Sequence, residues 1–233
     1  MQLLIYPTSA IASEQAFNRI QQAIQQGAKT LGLATGGTPE QLYTLMRESD
    51  IDFSEMTSIN LDEYYGLAPT HPKSYHVYMN QNLFDAKPFK QTFIPNGENK
   101  NVEEETTRYE EILDTYPIDL QILGIGSNGH IGFNEPGTAF DSKTSLVQLT
   151  DSTIQANKRY FQSEEEVPKQ AYSMGIGSIL RAKEIILLAF GEQKAKAIQA
   201  LMSEKITTDN PASALHQHPN VTIIVDEAAA SLL

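Results

Sequence analysis

The sequence predicts an α/β fold in which a three-layer, open and mostly parallel sheet is covered by helices on both faces. Short apolar segments rich in β-branched residues alternate along the chain with amphipathic helical segments. One of these segments, residues 118–126, is apolar at nearly every position, as expected of a central strand that is buried on both faces.

The individual elements follow from hydrophobic periodicity and from glycine, proline and capping residues at their ends. Strands are predicted at residues 3–6, 30–35, 57–62, 118–126, 184–190 and 221–225. Helices are predicted from residue 13 to the stop at Gln26 and Gly27, and at residues 39–48, 74–84, 102–114 and 193–202. Thr38 is expected to cap the second helix, with Pro39 at its first position. Residues 151–170 are polar and weakly patterned.

Composition narrows the class of protein. The 233 residues suffice for one domain, predicted to span residues 1–233. The net charge of -12 disfavours nucleic acid and anionic membranes as partners, and an anionic small molecule would need a local cluster of donors. The chain has no cysteine, no apolar run that could span a bilayer and no secretory signal, so we expect a cytoplasmic protein.

The loop after the second strand has the composition of an anion-binding turn. Thr35, Gly36, Gly37 and Thr38 join a strand to a helix, so backbone N–H groups and hydroxyls can point at a ligand near a helix N-terminus. A plain strand-to-helix turn with a threonine cap explains this segment equally well.

The loop after the third strand contains adjacent carboxylates, Asp62 and Glu63. Burial at a strand end can raise the pKa of such a group and make it a proton acceptor near neutral pH. Taken alone, the segment is explained better by an Asp62 that caps a turn and a Glu63 that is solvated.

The loop after the fourth strand, residues 124–137, is the richest in glycine and polar groups. It contains GxGxxG, but a dinucleotide-binding loop must open a helix, and Gly132, Pro136 and Gly137 follow too soon for one. The loop instead presents His130 and Glu135 for proton transfer. No role is assigned to the other histidines, and no metal site is expected, because there is no HExxH motif and no cysteine.

Three motifs in order, TGGTP at 35–39, NLDEYYGL at 60–67 and GIGSNGHIGFNEPGT at 124–138, resemble the glucosamine-6-phosphate deaminases. This family belongs to a superfamily that also includes the 6-phosphogluconolactonases. The segments NKRY at 157–160 and GEQK at 191–194 are similar to those that carry the family's phosphate-binding arginine and lysine. The resemblance implies a Rossmann-like fold over nearly the whole chain.

The resemblance also implies a reaction, glucosamine 6-phosphate and water to fructose 6-phosphate and ammonia, without a cofactor. Asp62 would be the base at the sugar carbons, and His130, oriented by Glu135, would shuttle protons during ring opening. The substrate phosphate would be bound by residues from three segments: Thr35, Gly36, Gly37, Thr38, Arg159 and Lys194. Residues 149–170 would form a mobile lid.

Two departures from the family pattern alter these expectations. Position 128 is asparagine where well-known members carry aspartate, so Asn128 can orient His130 without supplying charge, and Glu135 becomes the expected partner of the imidazole. Residues 145–147 are Ser-Leu-Val where allosteric hexamers carry basic residues. We therefore expect no allosteric activation and a monomer or small homo-oligomer.

Three alternatives stay open at this stage. A 6-phosphogluconolactonase-like hydrolase would share the fold and the phosphate loop, although DEY and FNEP favour the deaminase. Galactosamine 6-phosphate differs from glucosamine 6-phosphate at one hydroxyl, and no residue distinguishes them. A non-catalytic sugar phosphate sensor would need a DNA-binding module, for which the chain has neither length nor a basic patch.

Overall fold

A computed structural model describes residues 1–161, 163, 166–203 and 205–233, without the side chain of residue 160. Within these residues the main sheet has seven strands: β1 (Gln2–Tyr6), β2 (Thr30–Leu33), β3 (Thr57–Asn60), β5 (Gln91–Phe93), β6 (Leu120–Leu123), β9 (Glu184–Ala189) and β10 (Val221–Asp226). Their order across the sheet is β1-β10-β9-β6-β2-β3-β5, and every neighbouring pair is parallel. The predicted mostly parallel α/β architecture is confirmed.

Helices cover both faces of this sheet, as the apolar strands require. Along β9 the side chains alternate between two cores, with Ile185 and Leu187 in one and Ile186 and Leu188 in the other. The helices are α1 (Ser9–Gln25), α2 (Glu40–Glu48), α3 (Tyr75–Met79), α4 (Val102–Thr115), α5 (Asp151–Asn157), α6 (Ile176–Ile179) and α7 (Ala195–Met202). Helices α1 and α2 pack on one face, and α4 and α7 on the other. Within the described ranges, no helix combines the length and hydrophobicity that a membrane span requires.

The winding of the chain reverses direction beside β2. From β2 the chain adds β3 and β5 on one side, and it then returns to place β6, β9 and β10 on the other side. In open parallel sheets, ligands bind outside the carboxyl ends of the strands at such a reversal. The loops after β2 and β6 flank this point.

A small antiparallel sheet, in the order β4-β8-β7, lies beyond the carboxyl end of β3. Its strands are β4 (Asp62–Tyr64), β7 (Ser145–Gln148) and β8 (Gln170–Ser173). The sequence did not indicate this sheet. The third strand was predicted to run through Asp62, but the chain leaves the main sheet after Asn60, and Asp62 pairs with Ser173 instead.

Other boundaries also differ from the prediction. Helix α1 begins before residue 13, because Thr8 caps it and its side chain accepts from the N–H of Ile11. The helix predicted at 74–84 is α3 followed by a π-helical turn over Asn80–Phe84. The weakly patterned stretch after residue 150 contains α5 and a 3₁₀ turn over Lys158–Tyr160.

Candidate active site

The predicted site residues lie at the carboxyl edge of four consecutive strands, β9, β6, β2 and β3. Lys194 follows β9, the loop of residues 124–137 follows β6, the turn of residues 35–38 follows β2, and Asp62 follows β3. Arg159 comes from the turn after α5. Strand order thus brings together segments that are far apart in sequence.

Asp62 is a buried carboxyl group at this edge. The residue is 7% exposed, and no donor in the described part of the chain hydrogen-bonds its carboxylate. Burial, reinforced by the neighbouring charge of Glu63, raises the pKa of Asp62 to about 8. A carboxyl group in this range can both accept and return a proton near neutral pH.

At three positions of the 124–137 loop, hereafter the histidine loop, a side chain would collide with a neighbouring group or would require an unfavourable backbone conformation, and glycine occupies each of them. A Cβ at Gly126 would lie 2.3 Å from Nδ1 and Cε1 of the His130 ring, so only glycine lets the imidazole occupy this place. Gly129 and Gly132 have positive φ values of 84° and 56°. A Cβ at Gly132 would stand 3.6 Å from Oδ2 of Asp62, so the loop passes directly beside the buried carboxyl group.

His130, Asn128 and Glu135 form a hydrogen-bonded cluster within this loop. Oδ1 of Asn128 lies 2.8 Å from Nδ1 of His130, and Nδ2 of Asn128 donates to Oε2 of Glu135 at 2.7 Å. The same Oε2 is 3.5 Å from His130 Nδ1. Asn128 therefore makes the shorter contact with the imidazole, and Glu135 acts on it at longer range. The sequence led us to expect Glu135 as the direct partner of His130, but Asn128 lies between them in the hydrogen-bonded cluster.

The bonding pattern determines which imidazole nitrogen carries the proton. A carboxylate only accepts hydrogen bonds, so the Asn128 amide group must turn its Nδ2 toward Glu135 and its Oδ1 toward His130. His130 Nδ1 must then be the donor. In the neutral imidazole this leaves Nε2 as the acceptor, available to take a proton from a bound molecule.

Glu135 is held as an ionised anchor. Its Oε1 accepts from the hydroxyl of Thr150 at 3.0 Å and from the hydroxyl of Thr153, both at the start of α5. Burial alone would raise the pKa of Glu135, but the nearby His130 imidazole and hydrogen bonds from Thr153 and Asn128 outweigh burial and lower it to about 2. Glu135 thus connects the imidazole cluster to the segment that carries Arg159.

Strand β8 joins the histidine loop to Asp62. Ser173 pairs with Asp62 across the small sheet, and its hydroxyl accepts from the N–H of Phe133 at 3.1 Å. The buried Asn134 side chain donates to the carbonyl of Met174 at 2.8 Å. These contacts fix the spacing between the two loops.

The 35–38 turn offers an open backbone surface. Gly36 has a φ of 94°, and among the described residues no atom lies within 4 Å of where its Cβ would stand. The predicted Thr38 cap is wrong: Pro39 occupies the cap position of α2, without a side-chain cap bond. The turn continues one residue further than expected, so the Thr38 hydroxyl is not used to cap the helix.

Two basic side chains approach each other at this edge. Lys194 donates to the carbonyl of Ile125 at 2.6 Å, which ties the loop after β9 to the start of the histidine loop. Burial lowers the pKa of Lys194, and the charge of Arg159 lowers it further. Like charges close together favour an anionic ligand between them, which supplies the local donor cluster that a strongly acidic chain needs.

Sequence reasoning missed or misjudged several residues. Glu63, expected to be solvated, is completely buried and binds the amino end of α3. Ser173 and Thr153 lie in segments without a motif, so no signal in a single sequence singles them out. Among the described residues, no group of three or more histidine, cysteine, aspartate or glutamate side chains is placed to bind a metal ion.

This chain is similar in sequence to one known family of proteins. Residues 8–224 match the family model of glucosamine-6-phosphate isomerases/6-phosphogluconolactonase. A glucosamine-6-phosphate deaminase of Lacticaseibacillus paracasei is 57% identical over 233 residues, covering 100% of this chain and 99% of its own. One from Streptococcus sanguinis is 59% identical over 218 residues, covering 94% and 93%.

Solved structures extend the comparison. A monomeric glucosamine-6-phosphate deaminase superposes with a TM-score of 0.96 at 45% identity, with complete coverage of both chains. The 6-phosphogluconolactonase of Trypanosoma brucei has a TM-score of 0.81 at 18% identity, covering 100% of this chain and 98% of its own, and so shares the fold. On the family match and the full-length identities, this chain is a member of the glucosamine-6-phosphate isomerase/6-phosphogluconolactonase family.

Proposed function

We propose that this protein is a glucosamine-6-phosphate deaminase, which converts glucosamine 6-phosphate and water to fructose 6-phosphate and ammonia. The observation that carries the proposal is the position of Asp62, a buried carboxyl group with a raised pKa beside the loop that holds His130. This pairing of an imidazole and a separate carboxyl base matches a reaction with two different proton transfers.

The first transfer opens the sugar ring. His130 Nε2 is the free acceptor of the imidazole and can take the proton of the anomeric hydroxyl and return it to the ring oxygen. Asn128 fixes the tautomer, and the ionised Glu135 stabilises the imidazolium that forms. The absence of an aspartate at position 128 is offset by Glu135, which supplies the negative charge.

The second transfer moves a proton from carbon two to carbon one through an enol-type intermediate. One carboxylate on one face of the substrate can perform both steps, and Asp62 is the group we assign to it. General acid and base catalysis of this kind contributes about a hundred- to ten-thousandfold. Loss of ammonia and addition of water complete the reaction.

The phosphate group takes no part in bond making, and its binding positions the reacting carbons. We assign it to the 35–38 turn (Thr35, Gly36, Gly37 and Thr38) together with Lys194 and Arg159. Because Thr150 and Thr153 bond Glu135, the lid predicted at residues 149–170 would connect phosphate binding with the imidazole cluster. Residues 162, 164 and 165 of that span lie outside the described residues.

We further infer a monomer or small homo-oligomer that works in the cytoplasm without an allosteric effector. The 45% identical deaminase structure is named as monomeric, and residues 145–147, which form the first three positions of β7, carry no basic side chain. Light scattering after size exclusion tests the oligomeric state. Initial rates test the absence of allosteric activation, and we expect them to follow a hyperbola in substrate concentration.

The decisive experiment compares products. Purified protein is incubated with glucosamine 6-phosphate, galactosamine 6-phosphate or 6-phosphogluconolactone, and ammonia, ketose phosphate and acid release are measured. We expect ammonia and fructose 6-phosphate in equal amounts from the first substrate. Acid release from the lactone without ammonia from either amino sugar would overturn the proposal, and preference for galactosamine 6-phosphate would correct the substrate.

A further inference from the structure

Glu63 is a buried carboxylate for which the reaction provides no step. Its side chain accepts from the backbone N–H groups of Tyr64 at 2.8 Å, Tyr75 at 2.9 Å and His76 at 3.3 Å. It also lies 2.9 Å from Nδ1 of His76. The side chain accepts on both oxygens, which is the pattern of an ionised carboxylate bound to the amino end of α3.

Helix α3 in turn supports the 35–38 turn. The hydroxyl of Tyr78 donates to the carbonyl of Gly36 at 2.7 Å, and the buried Tyr75 hydroxyl interacts with the side chain of Thr35. Contacts therefore run without a break from Glu63 through α3 to the turn that we assign to phosphate. The residue next to Glu63 in the chain is Asp62.

Glu63 also acts on Asp62 through its charge. Burial is the larger cause of the raised pKa of Asp62, and the adjacent Glu63 carboxylate is the second. Within the described part of the chain, the other titratable side chains in electrostatic contact with Asp62 are Tyr75 of α3 and Tyr109 of α4. Burial raises the pKa of both phenols well above the ordinary value, so they stay neutral, and Glu63 is the charged neighbour.

We propose that Glu63 is a positioning residue with two effects: it holds α3, and with it the phosphate-binding turn, at a fixed place relative to Asp62, and its charge makes the Asp62 carboxylate a stronger proton acceptor. The inference rests on the proposed deaminase function. It predicts that the length and the charge of this side chain control different kinetic parameters.

Two variants separate the two effects. Glu63→Gln keeps the length and removes the charge, so Asp62 ionises more easily and the acid limb of kcat/KM moves to lower pH by roughly one unit. Glu63→Asp keeps the charge and shortens the reach to α3, so KM rises about three- to tenfold while the acid limb stays in place. An acid limb that does not move in Glu63→Gln overturns the electrostatic effect.

Tyr78→Phe tests the mechanical effect even if the Glu63 variants do not fold. It removes the bond to Gly36, and we expect KM to rise about three- to tenfold with kcat nearly unchanged. An unchanged KM would overturn the link through α3. Glu55→Gln is the matched control, since this exposed carboxylate lies away from Asp62 and its loss should leave both parameters unchanged.

Titration of Asp62 by carbon NMR separates this inference from the proposed function. The Asp62 carboxyl signal is assigned by its loss in Asp62→Asn, and its midpoint is then measured in wild type and Glu63→Gln. A midpoint that falls in the variant supports the inference even if the wild type releases no ammonia, a result that would contradict only the proposed function. An unchanged midpoint overturns the electrostatic effect whatever the activity.

Discussion

Asp62 and Glu135 are carboxyl groups of similar exposure, 7% and 8%, in opposite electrostatic settings. No described donor bonds Asp62, and burial with the charge of Glu63 raises its pKa to about 8. Glu135 accepts from Asn128, Thr150 and Thr153 and lies near His130, and its pKa falls to about 2. Burial is common to both groups, and the number of donors decides the direction of the pKa shift.

This contrast explains how two neighbouring segments can hold one carboxyl group that exchanges protons near neutral pH, Asp62, and one that stays ionised, Glu135. When the surroundings of two neighbouring titratable groups give them very different pKa values, the difference indicates which group exchanges protons and which stays charged. In the proposed reaction, Asp62 changes its protonation state during turnover, whereas Glu135 stays ionised and orients His130. The predictions below test this division.

The largest effect is expected from Asp62→Asn, which keeps the shape of the side chain and removes its basicity. We expect kcat for ammonia release to fall about a hundred- to ten-thousandfold, because Asp62 is the buried carboxyl group with a raised pKa beside the histidine loop. Binding of fructose 6-phosphate, measured by calorimetry, should change much less. Near-normal kcat would show that Asp62 is not the base.

The same substitution should stabilise the protein in a pH-dependent manner. The pKa of Asp62 is raised from 3.8 to about 8 in the folded state, so the folded protein retains a proton that the unfolded chain releases between these values. Wild-type stability is therefore lost as pH rises toward 8, and Asp62→Asn escapes this loss. We expect the variant to exceed wild type by roughly 5 kcal/mol at pH 8.5 and by little at pH 4.

Urea unfolding at pH 4, 6 and 8.5 measures the difference in the free energy of unfolding between Asp62→Asn and wild type. Asp50→Asn, at an exposed position, is the control and should show no comparable trend. A stability gap that does not widen with pH would mean that Asp62 titrates normally in the folded protein.

Gly126→Ala should displace the imidazole without straining the backbone, because the φ of Gly126 is not positive. The added Cβ would lie 2.3 Å from the His130 ring, so we expect kcat to fall about tenfold or more. Gly124→Ala is the matched control, since no described atom lies within 4 Å of its Cβ position. Equal activities of the two variants would contradict the placement of His130.

The smallest effect is expected from Thr153→Val, which removes one donor to Glu135 and keeps the side-chain shape. The pKa of Glu135 should rise toward its ordinary value. Because the lowered pKa stabilises the fold above about pH 4.5 and this contribution is lost as pH falls toward 2, the variant should lose about 1 kcal/mol at neutral pH. The deficit should shrink in acid.

Unfolding at pH 7 and pH 2 tests this expectation, with Thr106→Val on the surface of α4 as control. A deficit that is equal at both pH values would indicate lost packing instead of a lost bond to an ionised Glu135.

The sequence was most informative where a strand ends in a glycine-rich or acidic motif. The rule that parallel strands present their carboxyl ends at one edge predicted that the segments of Asp62, His130 and the 35–38 turn would lie at one edge of the sheet, as they do. It could not predict that Asp62 belongs to a second sheet, because the strands of that sheet are only three or four residues long and show no alternation of apolar and polar residues. The burial of Glu63 was also hidden, since its partners are backbone N–H groups of α3, which no side-chain pattern reveals.

The pairing of Ser173 with Asp62 has a consequence for how the site can vary. The spacing between Asp62 and the histidine loop is set by the main-chain ladder of a small sheet and by one hydroxyl that bonds a backbone N–H. Neither contact uses the side chain of Asp62, Asn128 or His130. We therefore expect that substitutions of these side chains can change the chemistry of the site without changing the distance between the two segments.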